Sequence, residues 1–253
     1  MKKFLSALLV AMFVVVSQQS VSAQTPTLAD YTAYPPFINQ SVPPLVMLAM
    51  SKDHRLFYKA YNDIMDLDND GSIDTTYKDT INYYGYFDSN KCYNYNNNRF
   101  EPAAAATGAN SHFCSGYWSG NFLNWATMAR IDVIRKVLYG GKRIVDTGGA
   151  GAVTVLQRTM LTRDNHAWVK AYNGPNISSL TPTTYSSITF CNLNTASTET
   201  NPLIWVMDGY FPYAASTEVK QCVNQFQGGA ALAPAYTFRA EILVCNTSWL
   251  ESN

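Results

Sequence analysis

A shortage of charge, a shortage of histidine and the absence of compact zinc or nucleotide signatures exclude several function classes before any residue receives a role. Asp, Glu, Lys and Arg supply 14% of the 253 residues, and 18 basic side chains cancel 18 acidic ones. The basic excess that a phosphate backbone demands is missing, so nucleic acid is not an expected partner. There are three histidines and no C-x-x-C or H-E-x-x-H pair, which leaves zinc chemistry without its usual ligands. Gly148-Gly149-Ala150-Gly151 lacks the third glycine of a dinucleotide loop, and Gly140-Gly141-Lys142 lacks the first glycine of a phosphate loop; both read as turns. In Gly116-Tyr117-Trp118-Ser119-Gly120 the serine comes one place late for a nucleophile elbow. His54 and His166 lie near Asp53 and Asp164, and His112 lies near Cys114, but with no nucleophile to serve, all three read as structural. Catalysis is not expected.

Long apolar runs are also lacking. The longest, residues 4–16, spans 13 positions, short of the roughly 20 needed to cross a bilayer as a helix. Lys2 and Lys3 precede it and Val21-Ser22-Ala23 follows, which is the pattern of a secretory signal peptide over residues 1–23. No cysteine follows the cleavage site, so a lipid anchor there is not expected. Removing Lys2 and Lys3 leaves 16 basic against 18 acidic side chains in an exported, nearly neutral chain. All five cysteines, at 92, 114, 191, 222 and 245, fall in the exported part, where disulfides persist. Cys92 and Cys114 are expected to close the Asn-rich loop between them, and two of Cys191, Cys222 and Cys245 to pair. The odd thiol implies a partner outside the chain or a C-terminal continuation.

Against this background one stretch carries a chemical signature: Asp66-Leu67-Asp68-Asn69-Asp70-Gly71-Ser72-Ile73-Asp74. Carboxylates crowded at this spacing repel one another unless a cation sits among them. In a calcium loop, positions 1, 3 and 5 supply carboxylates, position 6 is a turning glycine, position 7 offers a carbonyl and position 9 closes directly or through water. These fall on Asp66, Asp68, Asp70, Gly71, Ser72 and Asp74. Position 12, a bidentate glutamate in an EF-hand, is Tyr77, so a last ligand has to come from water, from Asp79 or from elsewhere. The predicted metal ligands are therefore Asp66, Asp68, Asp70, Ser72 and Asp74, and the predicted cofactor is Ca2+.

The remaining chain reads as α/β or α+β. Residues 24–43 form a proline-rich extended lead-in, and residues 45–50 a short buried strand. Helical spacing covers residues 55–65. Residues 77–100 are dense in Tyr and Asn, with alternating aromatics at 81–87 and 92–95 predicting strands and the Asn run at 96–98 predicting a turn. Two uses for these aromatics are open, a sugar-binding surface or a tyrosine-rich sheet packed beneath the disulfide, and large buried contact area favours the second. Residues 103–108 read as a flexible connection. Asn121 is the expected N-cap of one helix whose buried face is Phe122, Trp125, Ala126, Ala129, Val133, Val137 and Leu138, with an Asp132–Lys136 pair and a stop at Gly140-Gly141. Strands are expected at 154–160, 203–207 and 237–245 and, briefly, at 188–191, within a long Ser/Thr-rich loop over 173–201. The expected units are residues 44–172, a calcium-loop core region, and 173–253, a loop-rich and incomplete region with C-terminal strands.

Several stretches together resemble the N-terminal region of the PilY family, large exported proteins of type IV pilus assembly that act as tip adhesins. The resemblance is carried by Pro43-Pro44-Leu45-Val46-Met47-Leu48 with Asp53-His54, by Phe57-Tyr58-Lys59-Ala60-Tyr61-Asn62-Asp63, by Asp66 to Asp74, by Tyr83-Tyr84-Gly85-Tyr86-Phe87-Asp88 with Lys91-Cys92-Tyr93, and by Trp118-Ser119-Gly120-Asn121-Phe122-Leu123-Asn124-Trp125-Ala126-Thr127-Met128. It implies a partial von Willebrand A-like module with long Tyr/Asn-rich and Ser/Thr-rich insertions. Family members end the first strand of that module in a D-x-S-x-S metal motif. Here the strand ends Ala49-Met50-Ser51-Lys52-Asp53, which removes that metal site from the expected set. The family's C-terminal β-propeller and its calcium loop are not reached by Asn253, so the chain is expected to be an N-terminal piece lacking the other half of its protein. The implied partners are pilus components or a host or abiotic surface, and the implied location is periplasmic, pilus-associated or on the cell surface. A secreted glycan-binding domain or hydrolase is the alternative.

Overall fold

The computed structural model describes residues 47, 49, 53–149, 151–162, 166–193, 202–212 and 236–245. The signal peptide, the lead-in, Cys222 and the strand at 45–50, apart from Met47 and Ala49, lie outside the described residues. With that strand goes the von Willebrand A-like detail. The chain from residue 51 onward forms one contact unit.

Its architecture is α/β. Ten strands are described: β1 (Lys91–Asn96), β2 (Arg99–Ala105), β3 (Trp118–Ser119), β4 (Arg143–Asp146), β5 (Thr154–Gln157), β6 (Trp168–Tyr172), β7 (Ile188–Asn192), β8 (Leu203–Asp208), β9 (Tyr236–Arg239) and β10 (Glu241–Val244). Helix α1 (Gly120–Thr127) and helix α2 (Arg130–Tyr139) join β3 to β4. The strands make a six-stranded sheet in the order β3-β1-β2-β10-β5-β4 and a four-stranded sheet in the order β6-β7-β8-β9. Every described strand pair is antiparallel except β2 with β10.

The hairpin between β1 and β2 turns on Asn97 and Asn98, both at positive φ (50° and 62°). Asparagine tolerates that region, and two such residues give the turn whose twist matches antiparallel strands. The expected turn at 96–98 is therefore present, while residues 103–105, expected to be a connection, continue β2. Cys92 and Cys114 are disulfide-bonded with their Cα atoms 5.4 Å apart. Cys191 is also disulfide-bonded, and Cys245 is free and exposed.

All eight residues of α1 are buried, because it touches β1 and β3 of one sheet and β6 and β7 of the other. Its first residue must be glycine: a Cβ at Gly120 would stand 2.1 Å from the Asp88 carbonyl oxygen. Ser119, not Asn121, caps it, its Oγ accepting from Phe122 N–H at 3.3 Å. Asn121 and Asn124 instead turn their amides to the segment 81–87. Asn121 accepts from Tyr83 N–H at 2.8 Å and donates to the Ile81 carbonyl at 2.9 Å. Asn124 accepts from Phe87 N–H at 3.1 Å and donates to the Tyr83 and Phe87 carbonyls at 2.7 and 2.9 Å. That segment, expected to be a strand, is an irregular loop whose backbone bonds to side chains of α1 rather than to a ladder.

The single helix expected over residues 122–138 is two. Between them Met128 and Ala129 are extended (ψ 131° and 157°), and the Met128 carbonyl accepts from Ala60 N–H at 2.9 Å while Arg130 N–H donates to Tyr58 O at 3.0 Å. The same exchange explains why residues 55–65 are not a helix. Only His54–Phe57 form a 3-10 turn, capped by Asp53, and Lys59 then pairs as a bridge with Ala129. Helix α2 ends as expected at Gly140, in the left-handed region (φ +83°). Val137 and Leu138, expected on its buried face, are exposed. The last expected strand is also divided: at Ala240 the chain leaves the four-stranded sheet as β9 and enters the six-stranded sheet as β10.

Candidate metal centre

The acidic stretch forms a closed loop. Asp74 N–H donates to the Met65 carbonyl at 2.9 Å in an antiparallel bridge that brings the two ends together. Inside, the carboxylates fold the backbone about themselves: Asp66 accepts from Asp70 N–H (3.2 Å) and Gly71 N–H (3.0 Å), Asp70 from Ser72 N–H (2.7 Å), and Asp74 from Leu67 N–H (2.7 Å). Gly71, at calcium-loop position 6, has φ +86°, a conformation that disfavours a side chain.

One carboxylate oxygen from each of Asp66, Asp68 and Asp74 lies within 4.8 Å of the others. Calcium holds oxygens at about 2.3–2.6 Å, so two on opposite sides of an ion stand about 5 Å apart. The three aspartates therefore fit one cation of that size. Asp74 is the interior member, 1% exposed, and Asp66 and Asp68 close the solvent side. Asp70 lies outside the converging set, with one oxygen on Ser72 N–H and the other 3.2 Å from the Lys78 ammonium. Asp79, the other candidate ligand, accepts from the Asn110 amide at 3.0 Å. Tyr77, at position 12, is a core residue whose hydroxyl accepts from Asn121.

Lys78 is the partner that the spacing argument missed. Its ammonium sits 3.2 Å from Asp68 and 3.2 Å from Asp70 and pairs with Asp74. Lys78, followed by the Leu67 N–H, holds the Asp74 carboxyl below the usual carboxylate range, and the Ser72 N–H, followed by Lys78, does the same for Asp70. Asp74 in turn raises the Lys78 ammonium, the first of the carboxylates to do so. Nothing in the spacing of the acidic motif singles out this lysine, which follows its last aspartate by four places.

The histidines do not join this site. The rings of His54 and His166 lie 6.4 Å apart, with Asp53 3.4 Å from His54 and the Thr162 hydroxyl 3.2 Å from His166; Asp164 lies outside the described residues. His112 is buried with Nδ1 2.5 Å from the Asp79 carbonyl. The aromatics at 83–95 pack inward: Tyr83, Tyr86, Phe87 and Tyr93 are buried, and Tyr84 alone of the ring-bearing residues at 83–87 is exposed.

A second charged cluster is structural. Asp132 of α2 and Arg158, just past β5, are both fully buried. Asp132 accepts from Thr159 N–H at 2.9 Å, and Arg158 donates to Asn192 of β7 and to the Leu203 carbonyl of β8. Burial pushes the Asp132 carboxyl up to about 6 against the opposing pull of Arg158, and burial pulls Arg158 down to about 10.

Residues 74–206, just over half of the chain, match the family model described as PilY1 homolog, small alpha/beta domain. Two curated relatives from Xylella fastidiosa (strain Temecula1), each named Type IV pilus biogenesis factor PilY1 homolog, are similar to the chain. One is 49% identical over 127 residues, covering 50% of this chain and 8% of its own length. The other is 39% identical over 97 residues, covering 35% of this chain and 8% of its own length. No solved structure matches. A glycine and two asparagines hold the irregular tyrosine-rich loop to a buried helix inside the matched stretch, and the chain belongs to the PilY1 homolog family, of which it carries the small α/β domain.

Proposed function

We propose that this chain is an exported, calcium-binding module of a type IV pilus biogenesis protein, working through surface contacts at the pilus or the cell envelope rather than by catalysis. The observation that carries the calcium reading is the convergence of Asp66, Asp68 and Asp74 on one centre inside a loop turned by Gly71. Calcium would be held there by those three carboxylates, with Asp70 and the Ser72 carbonyl as the remaining candidate ligands, and it would supply charge neutralisation. The relatives' printed role supports the pilus assignment. The signal-peptide pattern and two disulfide-bonded cysteine sites support export. Adhesion follows from the family resemblance. The inward packing of Tyr83, Tyr86 and Tyr93 counts against a glycan-binding tyrosine surface.

The test is thermal unfolding of the purified chain with calcium and after chelation. The melting temperature should rise with calcium and fall on chelation, and the Asp66→Ala/Asp68→Ala double variant should lose the difference. Equal melting temperatures under the two conditions would remove the calcium assignment.

A further inference from the structure

Among the described residues Lys170 is the one lysine whose side chain is fully buried. It stands in the middle of β6, opposite Phe190 of β7, and its ammonium lies 4.3 Å from the centre of the Trp125 ring of α1. That ring is itself buried, so it keeps water from the nitrogen on its side. The nitrogen also contacts Oδ1 of Asp63, a residue 107 positions earlier, in the turn that leads into the acidic loop. The other carboxylate oxygen, Oδ2, faces a second cation, with the Lys59 ammonium 3.7 Å away. Asp63 therefore divides its oxygens between a buried amine and a partly exposed one.

As an ion pair alone this arrangement is costly, because one carboxylate returns only part of what a buried ammonium loses in leaving water, and an apolar residue would fill the same place in the strand at less expense. What lysine brings and an apolar residue does not is a primary amine that a carboxyl group can acylate. Transfer of one proton within the contact gives a neutral amine and a neutral acid, the forms that react, and poorly solvated surroundings favour neutral groups over separated charges. The atom beyond Oδ1 is Cγ, the carbon such an amine attacks. In the condensation the Lys170 nitrogen bonds to Cγ, the bond from Cγ to Oδ1 breaks, and the two protons that the nitrogen gives up leave on Oδ1 as water. Negative charge developing on Oδ2 meets the Lys59 ammonium, and the partly exposed side of Asp63 gives the water a way out. No oxidant, nucleotide or metal enters the balance. Fixed placement takes the part of chemical activation, since groups held together react as though at very high concentration.

We propose that Lys170 and Asp63 are a self-acylating pair whose side chains join in an amide bond, stapling the turn before the acidic loop to β6. The bond depends neither on calcium nor on the pilus assignment. A cross-link between positions so far apart in sequence takes conformational freedom from the unfolded chain.

The test is mass spectrometry of the purified chain after reduction and denaturation. The intact mass should fall short of the sequence mass by one water, and a tryptic digest should contain a branched peptide joining the residues around Asp63 to those around Lys170, with no cleavage after Lys170. Lys170→Arg keeps the positive charge but cannot form the amide, and Asp63→Ala removes the acyl group, so each should restore the full mass. Lys59→Met should slow the appearance of the branched peptide about tenfold or more, followed from the time of synthesis. A full mass in the wild-type chain after long incubation in the folded state would overturn the proposal. So would a missing water traced to an unbranched peptide, which is the mark of succinimide formation at Asp70-Gly71 or Asp208-Gly209. The wild-type spectrum decides between these outcomes even where a variant fails to fold.

Discussion

Lys78 decides how the acidic loop behaves without metal. Asp66, Asp68, Asp70 and Asp74 crowd a short turn, and the Lys78 ammonium gathers three of them. Any divalent ion entering among Asp66, Asp68 and Asp74 has to displace this built-in cation from Asp68 and Asp74. Lys78→Met should therefore lower the melting temperature in chelator, where the carboxylates lose their counter-charge. The same change should tighten calcium binding by about tenfold or more in titration calorimetry, since one competing positive charge is gone. Unchanged calcium affinity together with a lowered metal-free melting temperature would keep Lys78 as a structural cation only. The loop's turn and its three converging aspartates were legible in the sequence because ligand spacing is local. The lysine was not, since a single basic residue outside the motif gains its meaning only when the bridge between Met65 and Asp74 folds the loop back.

At the scale of elements, α1 shows how a helix can replace a strand as the hydrogen-bonding partner of its neighbour. Asn124 accepts from Phe87 N–H and donates to the Phe87 carbonyl in a buried setting, it shares the Tyr83 carbonyl with the Ser89 hydroxyl, and the fit is so close that a Cβ at Gly85 would meet Asn124 Oδ1 at 2.2 Å. Asn124→Ala would strand the Phe87 N–H and carbonyl away from water, at roughly 1–3 kcal/mol each before relaxation, so a loss of about 2–5 kcal/mol is expected in urea unfolding. Asn124→Asp keeps the shape but removes the donors, and should cost nearly as much. Burial alternates only from Ile81 to Tyr84, since Tyr83 is buried between exposed Asn82 and Tyr84 while Gly85, Tyr86 and Phe87 are buried in succession, so the strand expected at 81–87 is absent. What alternation cannot encode is the identity of the hydrogen-bond partner. The same limit divided the long helix: periodicity from Phe122 to Val133 is sound, yet the backbone of Met128–Arg130 bonds across to Tyr58–Ala60. Strands β1, β5, β7 and β8 were readable because composition, burial and pairing agree there.

For the molecule as a whole, the buried Asp132–Arg158 cluster ties the layers together. Through Thr159, Asn192 and Leu203 it connects α2, the end of β5, and strands β7 and β8, and the Asn192 amide reaches the Ala126 carbonyl of α1 at 2.9 Å. Because burial lifts the Asp132 carboxyl to about 6, the folded chain takes up this proton more readily than the unfolded chain does. The stability gained from that proton is complete below the ordinary carboxylate value and is lost as pH rises through about 6. Asp132→Asn should remove this dependence: between about pH 4 and pH 7 the wild-type chain should lose up to roughly 3 kcal/mol relative to the variant. Chemical unfolding of both proteins across that window measures the difference. Asp70 and Asp74, whose carboxyls are depressed, act below the window, where acid removes the stability they provide.

The passage of one chain segment through both sheets at Ala240 has a mechanical side. Strand β10 lies between β2 and β5 in the interior of the larger sheet, and β9 borders the smaller one. Tension drawn along this segment would load the β5–β10 ladder in shear, with its hydrogen bonds sharing the force side by side instead of parting in sequence. A pull on this segment would meet resistance from two sheets at once.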